Sequence, residues 1–422
     1  MTSCRGVNVE ENQKNYMKIL YAVLGYKPAY RIGGPIHTVS AAAERLVRKG
    51  HEVIVFATNS NLDQDLDVPT NQSIDVDGVQ VWYFKREEPI QRWLPFIPYL
   101  SKSMGFLYAP AMSAQLDRIV PSVDVVHTQM PYVYPTFAAG KAAIRYKKPL
   151  FYHQHGVFDP ERLKFRGFKK KLYINAIERP IMRSATTLIA LTETEVRSYR
   201  ALGVQTPCRV IPNGVDIVDH SQSFERTDCS FPFSLDEMVI LFMARLHPIK
   251  GADRLIRAFL MLQSAFPKAT LVMAGPDEWG MVEKFRQEIM KAGIGNRVLF
   301  PGMVTGEAKQ ELLTRADLFC LPSDAEGFSM AVLEALANST AVLLSPGCHF
   351  PEVEKAGAGR VVQPEPDALC NAMADLLDNP GKLKEMGKKG RDFVSRHYSW
   401  DTITDQLIEA YVEGIERNRR NR

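Results

Sequence analysis

Two glutamates late in the chain, Glu326 and Glu334, stand eight residues apart at the start of a helix-forming run. Eight helical steps advance about 12 Å and turn about 800°, so the second side chain would project within a quarter turn of the first. A sugar nucleotide has about this reach. One carboxylate could therefore hold the sugar and the other the ribose.

The backbone between these glutamates offers a place for a diphosphate. Gly327, Phe328 and Ser329 precede the helical stretch and Met330 follows them, so unpaired N–H groups at the helix start could bind an anion. Glycosidases also use paired carboxylates, but theirs lie only roughly 5 to 9.5 Å apart because both flank one bond. The competing interpretation is a solvated helix that carries two surface acids.

Two cations could hold the same diphosphate. Arg245 and Lys250 lie in the segment 244–251, which follows a predicted strand and opens a predicted helix. An arginine binds phosphate as a planar fork and a lysine binds it as a point charge. Without a second signal, the segment would be interpreted as a surface loop with two cations.

A glycine pair, Gly33 and Gly34, ends the loop after the first predicted strand, where backbone could approach a phosphate closely. The segment lacks the Gly-x-Gly-x-x-Gly pattern of dinucleotide sites and the Gly-Lys-Ser/Thr end of a P-loop. These two classes of site are excluded. The pair is equally consistent with an ordinary turn.

Histidines follow another predicted strand. His153 and His155 occupy alternate positions, so we expect one to face the packing of the sheet and the other, His155 beside Gly156, to face the ligand. Metal binding needs a third ligand, for which His127 is the nearby candidate, and we expect none. The Asp-x-Asp spacings at 63–65 and 75–77 are interpreted as exposed loop acids.

A basic, aromatic run spans 161–183, where eight Lys and Arg face two Glu, a local net charge of +6. The usual meaning of such a run is a solvated basic face. The sharper interpretation is a surface for anionic lipid or for a diphosphate-bearing acceptor, to which the apolar stretch 92–100 could add.

Alternating strands and helices must position these residues. Apolar runs predict strands at 18–23, 53–57, 123–127, 150–152, 187–191 and 208–212, and then at 238–243, 270–275, 298–300, 318–321, 341–344 and 359–362. Helices are predicted at 36–49 and 400–417, and Thr192 with Glu195 fits a capping box. Strand, turn, helix and strand in succession predict parallel sheets covered on both faces, which bind ligands beyond the carboxyl ends of their strands.

Length and composition fit this organisation. With 422 residues, 45% hydrophobic and 24% charged, the chain is expected to form two soluble α/β domains. The predicted divisions are a flexible leader at 1–16, a first domain at 17–216, a linker at 217–236, a second domain at 237–399, and a helix with a basic tail at 400–422 that returns to the first domain. No run is long and apolar enough to cross a membrane, the six cysteines lack metal-ligand spacing, and a net charge of +4 does not suggest nucleic acid.

Taken together, these motifs resemble the retaining glycosyltransferases of the GT-B fold, specifically glycosyltransferase family 4. The likeness rests on Gly33-Gly34 with 50–53, His155-Gly156, the Ile-Pro-Asn-Gly-Val-Asp run at 211–216, Arg245 with Lys250-Gly251, and the Glu-x7-Glu pair. Ala244 departs from the pattern, since many members have glycine there.

The resemblance implies two Rossmann-like domains facing across a cleft, and sugar transfer with retention and without a metal or other cofactor. It implies that Arg245 and Lys250 stabilise the leaving diphosphate, which fits electrostatic stabilisation of growing charge. It also implies that Glu326 and Glu334 hold the donor sugar and the ribose, that Met303 and Val304 approach the base, and that His155 lies by the reacting sugar.

The expected activity is transfer of a hexose from a nucleotide diphosphate sugar to a lipid-linked or saccharide acceptor, in surface polysaccharide or glycoconjugate synthesis. The expected location is the cytoplasm, with peripheral association at the inner face of the membrane. Two alternatives stay open: a sugar-nucleotide epimerase on the same fold, and a catalytically silent nucleotide-sugar binder.

Overall fold

The computed structural model describes residues 16–62, 64–87, 107–159, 171–217, 231–234 and 236–420. The chain forms two compact units, Met1–Pro212 with Ile403–Arg422, and Asn213–Thr402. Outside the described residues lie the leader up to residue 15, the stretch 92–100, residues 161–170 of the basic run and most of the linker.

Within those residues, the first unit contains an eight-stranded sheet with the order β10-β9-β8-β7-β1-β2-β6-β5. All pairs are parallel except β5 with β6. The central strands are almost continuous apolar runs because helices cover both faces of the sheet. The strands are β1 (Lys18–Val23), β2 (Glu52–Thr58), β5 (Ser73–Val76), β6 (Val79–Phe84), β7 (Val125–Gln129), β8 (Leu150–His153), β9 (Thr187–Ala190) and β10 (Cys208–Val210), with a separate hairpin of β3 (Ser60–Asn61) and β4 (Gln64–Asp65).

The helices of this unit begin where the sequence supplies caps or proline. Thr192 Oγ1 accepts the Glu195 N–H at 3.3 Å, which confirms half of the predicted capping box. The Glu195 carboxylate accepts the Leu191 N–H at 2.8 Å instead of the N–H of Thr192. The helices are α1 (Gly34–Arg48), α2 (Pro110–Ile119), α3 (Tyr134–Arg145), α4 (Arg179–Ser184), which follows a π-helical turn at Ile174–Glu178, and α5 (Glu193–Ala201).

The second unit is built around a parallel six-stranded sheet, in the order β13-β12-β11-β14-β15-β16 among the described residues. The strands are β11 (Met238–Met243), β12 (Ala269–Ala274), β13 (Val298–Gly302), β14 (Leu318–Leu321), β15 (Ala341–Leu344) and β16 (Gly359–Val361). The helices are α6 (Ala252–Leu262), α7 (Met281–Lys291), α8 (Gly306–Arg315), α9 (Met330–Ala337), α10 (Glu352–Lys355), α11 (Pro366–Leu377) and α12 (Pro380–His397).

The last helix, α13 (Trp400–Arg420), returns to the first unit as the sequence predicted. The hydroxyl of its buried Tyr411 lies 3.0 Å from the Tyr21 hydroxyl and 2.7 Å from His127 Nδ1. Gly414 faces Phe151, where a Cβ would come within 2.4 Å of the ring. The absence of a side chain at Gly414 therefore lets the helix lie against β8.

The interpretation of the two Asp-x-Asp spacings as loop acids was wrong in part. Asp75 lies in the edge strand β5 and accepts the Gly78 N–H at 3.1 Å across a hairpin turn, while Asp77 pairs with Lys27 at 2.8 Å. Asp65 lies in β4 and pairs with Arg86 at 2.5 Å. Asp63 lies outside the described residues.

Candidate functional site

Loops at the carboxyl ends of β11 and β14 lie side by side because these two strands pair in the second sheet. The Asp324 N–H and the Ser323 hydroxyl both donate to the Ile249 carbonyl, at 2.8 and 2.9 Å. Gly251 has φ +69°, and a Cβ there would lie 2.2 Å from the Pro322 carbonyl oxygen. Only glycine lets the two loops approach this closely.

The close approach brings Lys250 and Glu326 together as a buried ion pair. Lys250 Nζ lies 2.5 Å from Glu326 Oε1, and each side chain is only 9% exposed. The Glu326 N–H donates to the Gly347 carbonyl at 2.8 Å, which fixes the backbone under the carboxylate. A buried pair of this kind contributes little net stability, because desolvation offsets the attraction, but breaking it is costly. It therefore holds two charges in fixed positions.

The helical geometry assigned to the glutamate pair was wrong. Helix α9 begins at Met330 with Ser329 as its N-cap, so Glu326 lies in the preceding loop and only Glu334 is helical. The expected rise of eight helical steps does not apply. Glu334 instead pairs with Lys309 Nζ from α8 at 2.8 Å, and each glutamate is held by its own lysine.

The loop between the glutamates is braced from the start of the second unit. Asn213 Nδ2 donates to the Phe328 carbonyl at 3.2 Å, and the Phe328 ring stacks on Tyr398 with centroids 5.6 Å apart. Gly214 lies against Trp400, where a Cβ would come within 2.5 Å of the indole. The Asn-Gly motif therefore positions the Gly327–Ser329 backbone that leads into the first N–H groups of α9.

Arg245 lies on the same loop as Lys250, after β11, and is more accessible. Its guanidinium pairs with Glu278 at 3.0 Å, with side chains 54% and 42% exposed. The loop after β12 that carries Glu278 is close because Gly275, at φ +144°, allows contact; a Cβ there would lie 1.9 Å from the Ala244 carbonyl oxygen. The predicted phosphate ligand thus has a carboxylate partner in this structure.

Aromatic and apolar side chains border this end of the sheet. The exposed Trp279 ring packs edge-on against His247, with centroids 4.9 Å apart. Met303, 66% exposed, and the half-buried Val304 follow β13, the strand beyond β12. The residues predicted for the diphosphate, sugar and base therefore follow three strands of one sheet, β11, β13 and β14.

In the first unit, His155 and Gln129 meet after two paired strands. His155 Nε2 lies 2.5 Å from Gln129 Oε1, and the His155 ring stacks on His153 with centroids 3.7 Å apart. The prediction that the two histidines face opposite ways was wrong because β8 ends at His153 and His155 turns back with φ +51°.

A histidine column continues into the core. His153 stacks on His127 with centroids 5.8 Å apart, and His127 reaches Tyr411 as described above. Burial lowers the pKa of His155 to about 4 and that of His127 to about 3, and it lowers the pKa of His153 well below its usual value. All three imidazoles are therefore neutral at pH 7.

The glycine pair lies at the start of α1. Gly33 is the N-cap with φ +94°, which explains glycine there, and Gly34 is the first helical residue. A Cβ on either would meet nothing within 4 Å, so the space beside this turn is open. In the described ranges, no group of three or more His, Cys, Asp or Glu could hold a metal ion, and no helix is long and apolar enough to cross a bilayer.

Four contacts that the sequence reasoning did not identify shape these sites. Glu278 pairs with Arg245, Lys309 with Glu334, Gln129 with His155, and Asn213 holds the Phe328 carbonyl. Asn213 belongs to the Ile-Pro-Asn-Gly-Val-Asp motif, which does not by itself predict this contact. The other three partners have no sequence signal of their own, because each contact joins loops or helices distant along the chain.

Two Rossmann-like units with charged loops at the carboxyl ends of parallel strands define the GT-B class of glycosyltransferases. Residues 224–393 match the family described as glycosyl transferases group 1, and residues 32–219 match glycosyltransferase family 4. The chain belongs to glycosyltransferase family 4, group 1, which confirms the resemblance stated from the sequence.

Curated relatives are glycosyltransferases as well. An uncharacterised glycosyltransferase of Methanocaldococcus jannaschii is 27% identical over 95% of this chain and 99% of its own length. A GDP-mannose-dependent monoacylated α-(1-6)-phosphatidylinositol monomannoside mannosyltransferase of Corynebacterium glutamicum is 27% identical over 54% of this chain and 62% of its own. An MMP α-(1→4)-mannosyltransferase of Mycolicibacterium hassiacum is 30% identical over 40% and 41%. The chain thus spans about half the length of the latter two.

Solved structures share the fold. HepE of Anabaena in complex with UDP has a TM-score of 0.70 and 20% identity, covering 94% of this chain and all of that one. Sucrose-phosphate synthase from Thermosynechococcus elongatus has a TM-score of 0.69 and 20% identity, covering 94% and 98%.

Proposed function

We propose that this glycosyltransferase moves a hexose-type sugar, with retention and without a metal, from a nucleoside diphosphate to a lipid-linked or saccharide acceptor. The observation that carries the proposal is the buried Lys250–Glu326 pair beside the start of α9. A protein holds a lysine and a carboxylate there, largely out of water, at the cost of desolvating both. The arrangement is suited to a ligand that carries both negative charge and hydroxyl groups.

The leaving diphosphate would find three kinds of positive partner in the second unit. The first N–H groups of α9 have no partners within the helix and point toward its N-terminal side. Lys250 provides a fixed ammonium next to Glu326, and Arg245 provides an accessible guanidinium on the same loop as Lys250. Together they would stabilise the charge that develops on the phosphate as the glycosidic bond breaks, so no metal is required.

The two glutamates would hold hydroxyl groups. A carboxylate oxygen accepts hydrogen bonds only, so Glu326 can accept from a sugar hydroxyl while its other oxygen stays with Lys250. Glu334 would accept from the ribose in the same way while it is held by Lys309. Met303 and Val304, after β13, would lie by the base.

In the first unit, Gly33 and Gly34 offer open backbone, and His155 offers a neutral imidazole. We assign His155 to the reacting sugar on the strength of the family resemblance. We assign acceptor binding to the first unit. A lipid acceptor accords with the phosphatidylinositol monomannoside for which the Corynebacterium relative is named. We place the reaction in the cytoplasm at the inner face of the membrane.

A donor panel tests this proposal. The full chain is incubated with UDP-, GDP- and ADP-sugars, with lipid-linked and saccharide acceptors and with EDTA throughout. We expect acceptor-dependent release of one nucleoside diphosphate, and a product whose anomeric coupling constant in NMR matches that of the donor. An inverted product, or activity abolished by EDTA, would overturn retention or metal independence.

The two alternatives have distinct outcomes. Epimer formed without acceptor would identify an epimerase, and donor binding without any turnover would identify a silent binder. Glu326→Gln should lower transfer at least tenfold, whereas Asp375→Asn, which removes an exposed carboxylate 3.0 Å from Arg360 on the same unit, should not. Equal activity of both variants would contradict the role given to Glu326.

A further inference from the structure

The ring of His155 is hydrogen-bonded to an amide, the side chain of Gln129. Gln129 is the last residue of β7, is 4% exposed, and pairs in register with His153 of β8. Because β8 ends there and His155 turns back, the ring of His155 comes to rest against the end of β7. The 2.5 Å distance between Gln129 Oε1 and His155 Nε2 requires a hydrogen between the two atoms.

An amide oxygen has no hydrogen to give. The hydrogen in this contact must therefore be on His155 Nε2, and a neutral imidazole protonated at Nε2 has its lone pair at Nδ1. Among the residues that the structure describes, Gln129 is the one that hydrogen-bonds this ring. Nδ1 is therefore the ring nitrogen that can accept a hydrogen bond from a bound ligand.

The surroundings of the ring keep it neutral. Among the described residues, the titratable groups that face it are His153 from β8, stacked on it, and His127 from β7 behind His153. Beyond His127 come the hydroxyls of Tyr411 and Tyr21, from α13 and β1. None of these groups is anionic at pH 7, so nothing in the column compensates a positive charge on His155.

We propose that Gln129 is a positioning residue that fixes His155 as the neutral, Nε2-protonated tautomer and so presents Nδ1 as a hydrogen-bond acceptor for a substrate hydroxyl. The substrate part rests on the proposed function. The tautomer itself is a property of the unliganded chain. Gln129 would act through His155 and would not touch the sugar.

The tautomer is read directly by NMR. The full chain is labelled with ¹⁵N-histidine, and long-range ¹H–¹⁵N spectra are recorded at pH 7 without ligand, with His155→Gln used to assign the signal. We expect Nε2 protonated in the wild type and a mixture of tautomers in Gln129→Leu. A wild-type ring protonated at Nδ1 would mean that the Gln129 amide donates, and would overturn the proposal.

Kinetics provide a second readout on whichever donor the panel identifies. Gln129→Leu should lower kcat/KM roughly tenfold through loss of one oriented hydrogen bond. Gln129→Glu should restore activity at alkaline pH but move the acid limb of the pH profile upward, because a carboxylate stabilises the imidazolium and thereby removes the acceptor.

If Gln129 has only a structural role, the acid limb of the pH profile should stay in place in Gln129→Glu. That result would contradict the positioning role proposed for Gln129. Gln287→Glu, an exposed glutamine of α7, controls for the added charge. If no donor is turned over, the proposed function fails while the NMR experiment still decides the tautomer.

Discussion

Replacement of Glu278 by glutamine should tighten the binding of nucleoside diphosphate. Arg245 is paired with the Glu278 carboxylate at 3.0 Å in the unliganded chain. A diphosphate that binds the Arg245 guanidinium must displace this carboxylate or share the guanidinium with it. Glu278→Gln keeps the size of the side chain and removes the competing charge.

The size of the effect follows from distance and exposure. Two unit charges 3.0 Å apart attract by about 1.4 kcal/mol in water and by about 5.5 kcal/mol at an effective dielectric constant of 20. The side chains are 54% and 42% exposed, so the attraction is close to its value in water. Exposed pairs of this kind stabilise proteins by roughly 0.2–1 kcal/mol. We therefore expect the dissociation constant for diphosphate to fall by up to about fivefold.

Titration calorimetry with UDP and GDP measures the change at low salt, where screening is weakest. The control is Asp375→Asn, which removes the same charge from an arginine pair of the same length, Arg360–Asp375, on the surface of the same unit. A gain in Glu278→Gln equal to that in the control would reflect net charge alone. Weaker binding would mean that Glu278 contacts the ligand, and either result would refute the competition.

Three further outcomes are expected. Lys250→Met should lower the free energy of unfolding of the second unit, measured in urea, by about 3–5 kcal/mol, because it leaves the Glu326 charge buried and unpaired. Adding Glu326→Gln should recover part of that loss. If the loss in the double variant equals the sum of the losses in the two single variants, the result would contradict the buried pair. The pKa of His155 (about 4) and that of His127 (about 3) lie below the unfolded value of about 6.5, so the unfolded state binds more protons between pH 6.5 and 4. The free energy of unfolding should therefore fall by roughly 2 kcal/mol per histidine from pH 7 to 5. A free energy that does not change over this range would mean that these rings are charged or exposed. The full chain should float with anionic but not neutral vesicles, and less so when Lys169–Lys171 become glutamate, whereas equal flotation would refute the membrane surface proposed for 161–183.

The parallel core of each unit could be predicted because its strands are short, continuous apolar runs. Strands β1, β11, β14 and β15 have the predicted bounds. The hairpin of β5 and β6 was not predicted, although Asp77-Gly78 between alternating residues is a hairpin signal. Its edge strand is half exposed, so its sequence resembles a polar connection.

The loop contacts could not be predicted in the same way. The spacing of Glu326 and Glu334 says nothing of where the helix starts, and the N-cap at Ser329 places only one of them on it. The contact of His155 with Gln129 depends on strand register and on one residue with positive φ. Such contacts arise from tertiary packing, which periodicity does not encode.

The most direct test of the diphosphate site compares nucleoside diphosphate with nucleoside monophosphate by calorimetry, as UDP against UMP and GDP against GMP. Charge-assisted bonds to the second phosphate should contribute about 1.5–3 kcal/mol, so one diphosphate should bind at least about tenfold more tightly than its monophosphate. Arg245→Ala, an exposed position whose loss should not unfold the unit, should remove most of that difference. Equal affinities for the two nucleotides, or a difference unchanged by the substitution, would contradict the site assigned to the second unit.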